Sequence, residues 1–440
     1  MSTRNPVRIN VNDFVNSQTE FVTLVETAGT VFPDGYSIEL IKDASGSLRL
    51  LDSKCAEPQL RINYAGQVFV PPDLLLSVLT AVTFASGRTD YGETLDLFAQ
   101  IFFLFINCGL SEDYAQVCAY FVFASWFPEF LPVAPCLILT GSEPEARTIL
   151  RLLAALVRLA LPLAEINIDA FDCDTRNLRP TLLISRVDPK MWKLLSASNH
   201  PHAFLPRKKE LIDLFRAKAA YLGPTLVGVG DDAILNVHCV PSDERLPVFN
   251  TAILEQIAAD FQPMLLDYRF KNIAKVRRAD FDAPTLPTPF RTMAQALGAC
   301  IVDDPDLQTG IVKLLESQRA ALAPSRLLDL NCVVIETLLA RCHSEIGPTR
   351  VGVSELAATA NTFLTDHGET ASLESKRTSG YLRQLGFRPE RDSKGFSIHL
   401  TADVRRLTHI LARDRQILDS EHLSLGCPDC SGEQSVGVCT

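Results

Sequence analysis

One stretch of the chain has the residue types and spacing of a phosphate-binding loop. An apolar run at 136–140 leads to Gly141, and after four further residues a small residue, a cation and a hydroxyl follow as Ala146, Arg147 and Thr148. Loops of this kind read G-x-x-x-x-G-K-[ST] and hold phosphate with backbone N–H groups at the start of a helix. Gly141, Arg147 and Thr148 are therefore the candidate cofactor-binding residues, with the Thr148 hydroxyl as a ligand for Mg²⁺.

Four residues in the same stretch are unfavourable for nucleotide binding. Ala146 puts a Cβ where the second glycine lets backbone approach phosphate, and the planar guanidinium of Arg147 is not interchangeable with an ammonium. Glu143 and Glu145 add two carboxylates where a triphosphate would lie, although they would stabilise the start of a helix. Like charges at about 4 Å repel by roughly 4 kcal/mol at an effective dielectric of about 20. The pattern predicts a degenerate phosphate loop that no longer supports nucleotide hydrolysis. The alternative is an ordinary strand–turn–helix unit.

The acids that a P-loop ATPase needs are missing or displaced. A short apolar strand is predicted at 181–184, and it ends in Ser185 and Arg186. An active enzyme has there an Asp that holds Mg²⁺ and a Glu that orients water. Asp188, three residues past the expected place, is one catalytic candidate, and Arg269 is the other.

The hydrophobic pattern indicates the elements that position these residues. Alternating strands near the N-terminus flank a turn at 43–46, and a helical collar is predicted at 76–127. Apolar runs without charges are typical of strands buried in a parallel sheet, and longer amphipathic stretches are typical of helices. The predicted elements after the phosphate loop are a helix at 149–161, strands at 181–184 and 233–242, and helices at 208–221 and 249–274.

A separate pattern follows Pro324. Three helices and then a hairpin with its turn at 392–395 predict a winged helix. Residues 347–417 contain 11 Lys/Arg and 8 Asp/Glu, a local excess of positive charge in an acidic chain. The candidate DNA-contacting residues are Lys376, Arg377 and Arg383 on the predicted recognition helix, and Arg388, Arg391 and Lys394 on the hairpin. The alternative is a winged helix that contacts protein.

The C-terminal segment contains one C-x-x-C pair. His422, Cys427, Cys430 and Cys439 offer four Zn²⁺ ligands, but their spacing matches no common finger, and the segment is rich in Gly and Ser. A flexible tail is the favoured interpretation and a zinc site is the alternative. The other cysteines stand mostly alone in apolar runs, which favours reduced thiols over a disulfide framework.

Composition limits the class of protein. The chain has 440 residues, 47% of them hydrophobic, and a net charge of −10, which argues for full cores and against a uniformly basic nucleic-acid coat. The polar N-terminus does not read as a signal peptide, and Gly109 with nearby acids interrupts the most apolar window, 95–127. We therefore expect a cytoplasmic protein that does not enter a membrane.

Four stretches carry a resemblance to a known family. They are residues 127–141, 261–269, 281–284 and 297–303. Together they resemble a group of bacterial P-loop ATPases often carried near mobile elements, similar in outline to the primase-associated helicase ATPases of phages and plasmids. The resemblance spans residues 110–418 and implies an ATPase-like fold and work on DNA. Catalysis does not carry over with it, because the matching positions hold Arg147, Ser185 and Arg186.

The expected fold class is α/β, with a P-loop NTPase-like parallel sheet core, a helical collar and a C-terminal winged helix. The expected domains are a small β-containing module at 1–75, the collar and ATPase-like domain at 76–323, the winged helix at 324–418, and a tail at 419–440. The first function hypothesis is a degenerate ATPase that serves as a DNA-associated binding or assembly subunit, with a protein partner or a second copy and no cofactor. The alternatives are an active ATPase or helicase-like motor that uses ATP and Mg²⁺, and a winged-helix regulator.

Overall fold

The structure is a computed structural model, and it forms two compact units. One comprises residues 1–226 and 232–315, and the other comprises 227–231 and 316–440. The structure describes residues 23–55, 57–73, 82–85, 87–165, 179–187, 189–207, 210–223, 234–241, 247, 249–322, 330–344, 350–366, 372–393, 395–414, 417, 427 and 430.

Among the described residues, the first unit begins with six short strands. They are β1 (Thr23–Glu26), β2 (Gly29–Val31), β3 (Ser37–Lys42), β4 (Leu48–Asp52), β5 (Ile62–Tyr64) and β6 (Gln67–Val70). β2, β3 and β4 form an antiparallel sheet, while β6 pairs with both β1 and β5. The predicted hairpin is present: the Asp43 carboxylate accepts hydrogen bonds from the backbone N–H groups of Ser45 and Ser47, and Gly46 has a φ of +80°.

A five-stranded, all-parallel sheet forms the centre of the first unit. Its strands in chain order are β7 (Cys136–Gly141), β8 (Ala160–Leu163), β9 (Thr181–Ile184), β12 (Lys218–Tyr221) and β13 (Leu235–Cys239). Their order across the sheet is β13-β7-β12-β9-β8. Every residue of β9 is buried, as is β7 up to Thr140, which suits a sheet covered on both faces.

The helix predicted at 208–221 is wrong. Phe204–Arg207 (β10) and Glu210–Asp213 (β11) form an antiparallel hairpin instead, and β12 then enters the parallel sheet between β7 and β9. Backbone pairing on both edges of β12 outweighs the helical preference inferred for this stretch. Lys218 is buried in that strand, and its ammonium donates to the backbone oxygen of Arg216.

Seven helices complete the description of the first unit and its boundary. They are α1 (Thr94–Ile106), α2 (Glu112–Ser125), α3 (Glu143–Leu156), α4 (Pro189–Ala197), α5 (Thr251–Val276), α6 (Thr288–Cys300) and α7 (Pro305–Leu322). α1 and α2 lie in the predicted collar. The apolar faces of α2 and α3 pack with the central sheet into one continuous core, which includes Phe121, Leu139 and Leu153.

The second unit contains helices and a small sheet. Its elements are α8 (Leu330–Ser344), β14 (Arg350–Gly352), α9 (Val353–Asp366), α10 (Ser375–Gln384), β15 (Glu390–Asp392), β16 (Gly395–His399) and α11 (Ala402–Asp414). β16 pairs antiparallel with β14 on one side and β15 on the other, so the predicted hairpin is present. Leu356, Leu382 and Ile398 belong to its core. No helix among the described residues is both long and apolar enough to cross a lipid bilayer.

Candidate functional site

The segment predicted as a phosphate loop is almost entirely helical. β7 ends at Gly141 and α3 begins at Glu143, so Ser142 alone separates the strand from the helix. Ala146, Arg147 and Thr148 therefore lie within the first turns of α3. A phosphate loop needs several residues between strand and helix to turn its N–H groups toward one anion. This geometry does not provide that turn.

Gly141 has a structural reason to be glycine. Its φ is +87°, and a Cβ placed on it would lie 2.2 Å from the backbone oxygen of Cys239 in the neighbouring strand β13. The Ser142 N–H donates to that same oxygen at 2.8 Å, and the Tyr221 hydroxyl donates to the Gly141 oxygen at 2.8 Å. The backbone groups at the end of β7 are thus bonded to β12 and β13.

Polar side chains at the start of α3 bond one another and the nearby backbone. The Ser142 hydroxyl donates to the Glu145 carboxylate, which is buried beside the helix N-terminus. Ser-x-x-Glu is the residue pattern of a capping box, and a carboxylate in this place complements the helix dipole. Arg147 pairs with Glu143 one turn earlier, and the Thr148 hydroxyl donates to the backbone oxygen of Pro144 at 3.0 Å. All three candidate cofactor-binding residues are thus engaged locally.

The carboxyl end of β9 carries no carboxylate among the described residues. Ser185 follows the strand, and its N–H donates to the backbone oxygen of Leu163 at 2.8 Å; Arg186 is exposed beyond it. Asp188, the catalytic candidate that would replace the missing acid, lies outside the described residues. The described edge therefore offers no carboxylate to a metal at the place where an ATPase has one.

Arg269, the second catalytic candidate, lies in the interior of the first unit. Its Nε is 2.7 Å from the Glu39 carboxylate, and its other nitrogens bond Glu129 and the backbone oxygen of Trp126. Glu39 also pairs with Arg158 at 2.7 Å. Burial by itself would lower the pKa of Arg269, but Glu129 and Glu39 outweigh it and raise that pKa above its usual range. Arg269 is a fully buried structural cation in this arrangement.

The second unit presents a group of exposed cations. These residues, the basic surface, are Lys376, Arg377 and Arg383 on α10 and Arg388 and Arg391 on the approach to and within β15. None of the five pairs with a carboxylate of the residues the structure describes. The Arg383 guanidinium lies 5.3 Å from the ring centre of Phe396, which is 39% exposed on β16. Lys394 lies outside the described residues.

A group of histidine and cysteine side chains meets elsewhere in the second unit. Cys427 and Cys430 come together with His343 on α8 and His409 on α11, and their four ligand atoms all lie within 4.8 Å of one another. This set is the His/Cys cluster. The other two predicted zinc ligands, His422 and Cys439, lie outside the described residues. The C-x-x-C pair is a sequence signal for such a site, whereas the two histidines stand 66 residues apart and share no local pattern.

No family model matches the chain, and no curated protein matches it. Two solved structures of the NrS-1 C-terminal region in an apo A form are similar to it. The first has a TM-score of 0.32 and 11% identity over 82% of this chain and 95% of that one. The second has a TM-score of 0.34 and 9% identity over 83% and 96%. Likeness at this level assigns no residue and no activity.

Proposed function

We propose that the chain is a catalytically degenerate P-loop ATPase-like protein that acts as a DNA-associated binding or assembly subunit. The observation that carries the proposal is the basic surface: five exposed cations on one helix and the adjoining hairpin, unpaired with any described carboxylate. The DNA-binding part would be a winged helix built from α8, α9, α10 and the β15–β16 hairpin.

The arrangement suits a nucleic-acid duplex. A helix followed by a hairpin can place the helix in a groove and the hairpin against the backbone, where Lys and Arg contact phosphates. Lys376 and Arg377 lie in the first turn of α10, where cations oppose the helix dipole by a few tenths of a kcal/mol each. A phosphate at that end would turn this repulsion into attraction.

We propose that the protein does not hydrolyse ATP because of the residues that follow β7. Arg147 and Thr148 make their contacts inside α3, and Glu145 lies where an anion would approach the helix. A triphosphate would have to break these contacts and face two carboxylates. The cost of bringing like charges together, roughly 4 kcal/mol at about 4 Å and an effective dielectric of about 20, opposes binding.

DNA binding is tested with two charge-matched variants of the full chain. Lys376→Glu/Arg377→Glu reverses two charges of the basic surface, and Arg61→Glu/Lys313→Glu reverses two exposed cations of the first unit. We expect fluorescence anisotropy on labelled duplex to show at least about a tenfold loss of affinity for the first variant and no loss for the second. Equal losses would mean that net charge alone governs binding and would overturn the proposal.

The salt dependence gives a second readout of the same contacts. Each phosphate contact contributes about 0.9 to the slope of log affinity against log salt. Loss of two contacts should therefore reduce that slope by about 1.8 in Lys376→Glu/Arg377→Glu. Strong preference for one duplex sequence would favour the regulator alternative over an assembly subunit.

Nucleotide turnover is tested separately. With Mg²⁺ and labelled ATP we expect neither hydrolysis nor micromolar binding, and we expect Arg147→Ala to change neither result. Mg²⁺-dependent hydrolysis that Arg147→Ala abolishes would identify an active motor and would contradict the degenerate interpretation. The Arg147–Glu143 pair itself is exposed and contributes about 0.2–0.5 kcal/mol to the helix, so the variant should remain folded.

A further inference from the structure

We infer that the His/Cys cluster is a structural Zn²⁺ site. Three of its ligand-atom distances are equal: His343 Nε2 lies 3.2 Å from His409 Nε2 and 3.2 Å from Cys430 Sγ, and Cys427 Sγ lies 3.2 Å from His409 Nε2. Zn–N and Zn–S bonds of about 2.0 and 2.3 Å at tetrahedral angles put neighbouring ligand atoms about 3.3–3.8 Å apart. The cluster thus has nearly the dimensions of a tetrahedral site.

One histidine already has the tautomer that a metal needs. The Nδ1 of His409 lies 2.7 Å from the backbone oxygen of Arg405, and because a carbonyl can only accept, Nδ1 carries the proton. In the neutral ring, Nε2 then carries a lone pair and can bind a metal. This nitrogen faces Cys427 and His343. A hydrogen bond from the far nitrogen to a carbonyl is the usual way in which proteins orient a metal-binding imidazole.

Charge and burial favour Zn²⁺ over harder cations. His409 is 1% exposed and Cys427 is 7% exposed, so the charge must be balanced locally. Two thiolates and two neutral imidazoles balance a divalent cation, and the set contains no carboxylate. Two thiolates and two imidazoles are a typical ligand set of structural zinc, whereas Mg²⁺ and Ca²⁺ take oxygen.

Four protein ligands leave no open position, so the site would be structural and not catalytic. It would join the last turn of α8, the middle of α11 and the Cys427–Cys430 turn, in which the Cys430 N–H donates to the Cys427 oxygen at 3.1 Å. α8 and α11 already share apolar contacts beside it, including Leu339 and Ala412. The inference is independent of the proposed function, because it rests on these contacts alone.

The first test is the metal content of the full chain purified without added metal or chelator. We expect mass spectrometry of the elements to find about one zinc per chain. Replacement by Co²⁺ should give the intense visible bands of a tetrahedral ion and a thiolate-to-cobalt charge-transfer band. Absence of both metals, or a Cys427–Cys430 disulfide in the purified protein, would overturn the inference.

Variants then identify the ligands. Cys427→Ser/Cys430→Ser, His343→Ala and His409→Ala should each lose zinc, whereas His422→Ala/Cys439→Ser, matched in residue type, should keep about one zinc per chain. If His422→Ala/Cys439→Ser lost zinc and His343→Ala kept it, the ligands would be the four predicted from the sequence, and our ligand set would be wrong. If a ligand variant fails to fold, the Co²⁺ spectrum of the wild type tests the coordination instead. A spectrum of octahedral or oxygen-only coordination would overturn the proposal.

Discussion

Arg269 and Glu39 stand 230 positions apart in the chain, yet the Arg269 Nε lies 2.7 Å from the Glu39 carboxylate in the interior of the first unit. This contact joins α5 to the N-terminal strand β3. Arg158, just beyond the C-terminal end of α3, bonds the other oxygen of the same carboxylate, so one acidic side chain connects three parts of the fold.

Loss of the Arg269 guanidinium should therefore destabilise the protein strongly. Arg269→Ala leaves Glu129 without its cation and leaves Glu39 with Arg158 alone, and removing one partner of a buried pair costs about 3–5 kcal/mol. The exposed pair Arg291–Asp282 provides the matched control, for which Arg291→Ala should cost far less, because exposed ion pairs contribute little to stability. Urea denaturation measures both, and an Arg269→Ala protein as stable as the wild type would restore Arg269 as a functional candidate.

Substitution of Gly141 should be costlier than its backbone angle alone explains. Gly46 has a similar φ, +80° against +87°, but a Cβ there would meet nothing within 4 Å. Gly46→Ala should cost about 1–2 kcal/mol for the left-handed conformation. Gly141→Ala adds the clash with Cys239 and should cost at least about 2 kcal/mol more. Equal losses of unfolding free energy in the two variants would show that the close approach of β7 and β13 is not a constraint.

The stability should have an acid-sensitive component at Asp282. A hydrogen bond from Arg291 is the largest cause that lowers the pKa of Asp282 to about 2, from an ordinary value of 3.8. Because the folded state holds this proton more weakly than the unfolded state, the stabilisation is complete above pH 3.8 and is lost as the pH falls to about 2. The difference in Tm between wild type and Asp282→Asn should shrink across that window. A difference that is constant from neutral pH to pH 2 would contradict the assignment.

Buried thiols should resist alkylation until the protein unfolds. Burial raises the pKa of both Cys108 and Cys239 to about 12, so at pH 8 about one thiol in 10⁴ is ionised. Cys55 is partly exposed and serves as the internal control. Peptide mapping after iodoacetamide treatment should find Cys55 labelled in the native protein, with Cys108 and Cys239 labelled only in urea. Comparable labelling of all three in the native state would contradict the burial.

Local features of this fold were predictable from the sequence. The apolar runs of β7 and β9, the hairpin turn at 43–46 and the turn at 392–395 each depend on residues that are neighbours in the chain. Periodicity and turn chemistry encode such elements directly. The helices after Pro324 were predicted for the same reason.

Features that depend on distant partners were missed. The stretch 208–221 predicted a helix, and residues 218–221 are a strand because they pair with β7 and β9. α3 begins directly after Ser142 and brings the Ser142 hydroxyl onto the Glu145 carboxylate, which a match to a loop motif does not reveal. His343 and His409 meet only because α8 and α11 pack together. No spacing rule could have joined them to the C-x-x-C pair.

The place of β12 in the sheet has a consequence during synthesis on the ribosome. β7 and β9 emerge from the exit tunnel well before residues 218–221, which lie between them in the finished sheet. Until then, both apolar strands have an open edge that faces no partner, and open strand edges attract other chains. Nascent protein whose exposed part ends before residue 218 should therefore depend on chaperones far more than the completed, released chain.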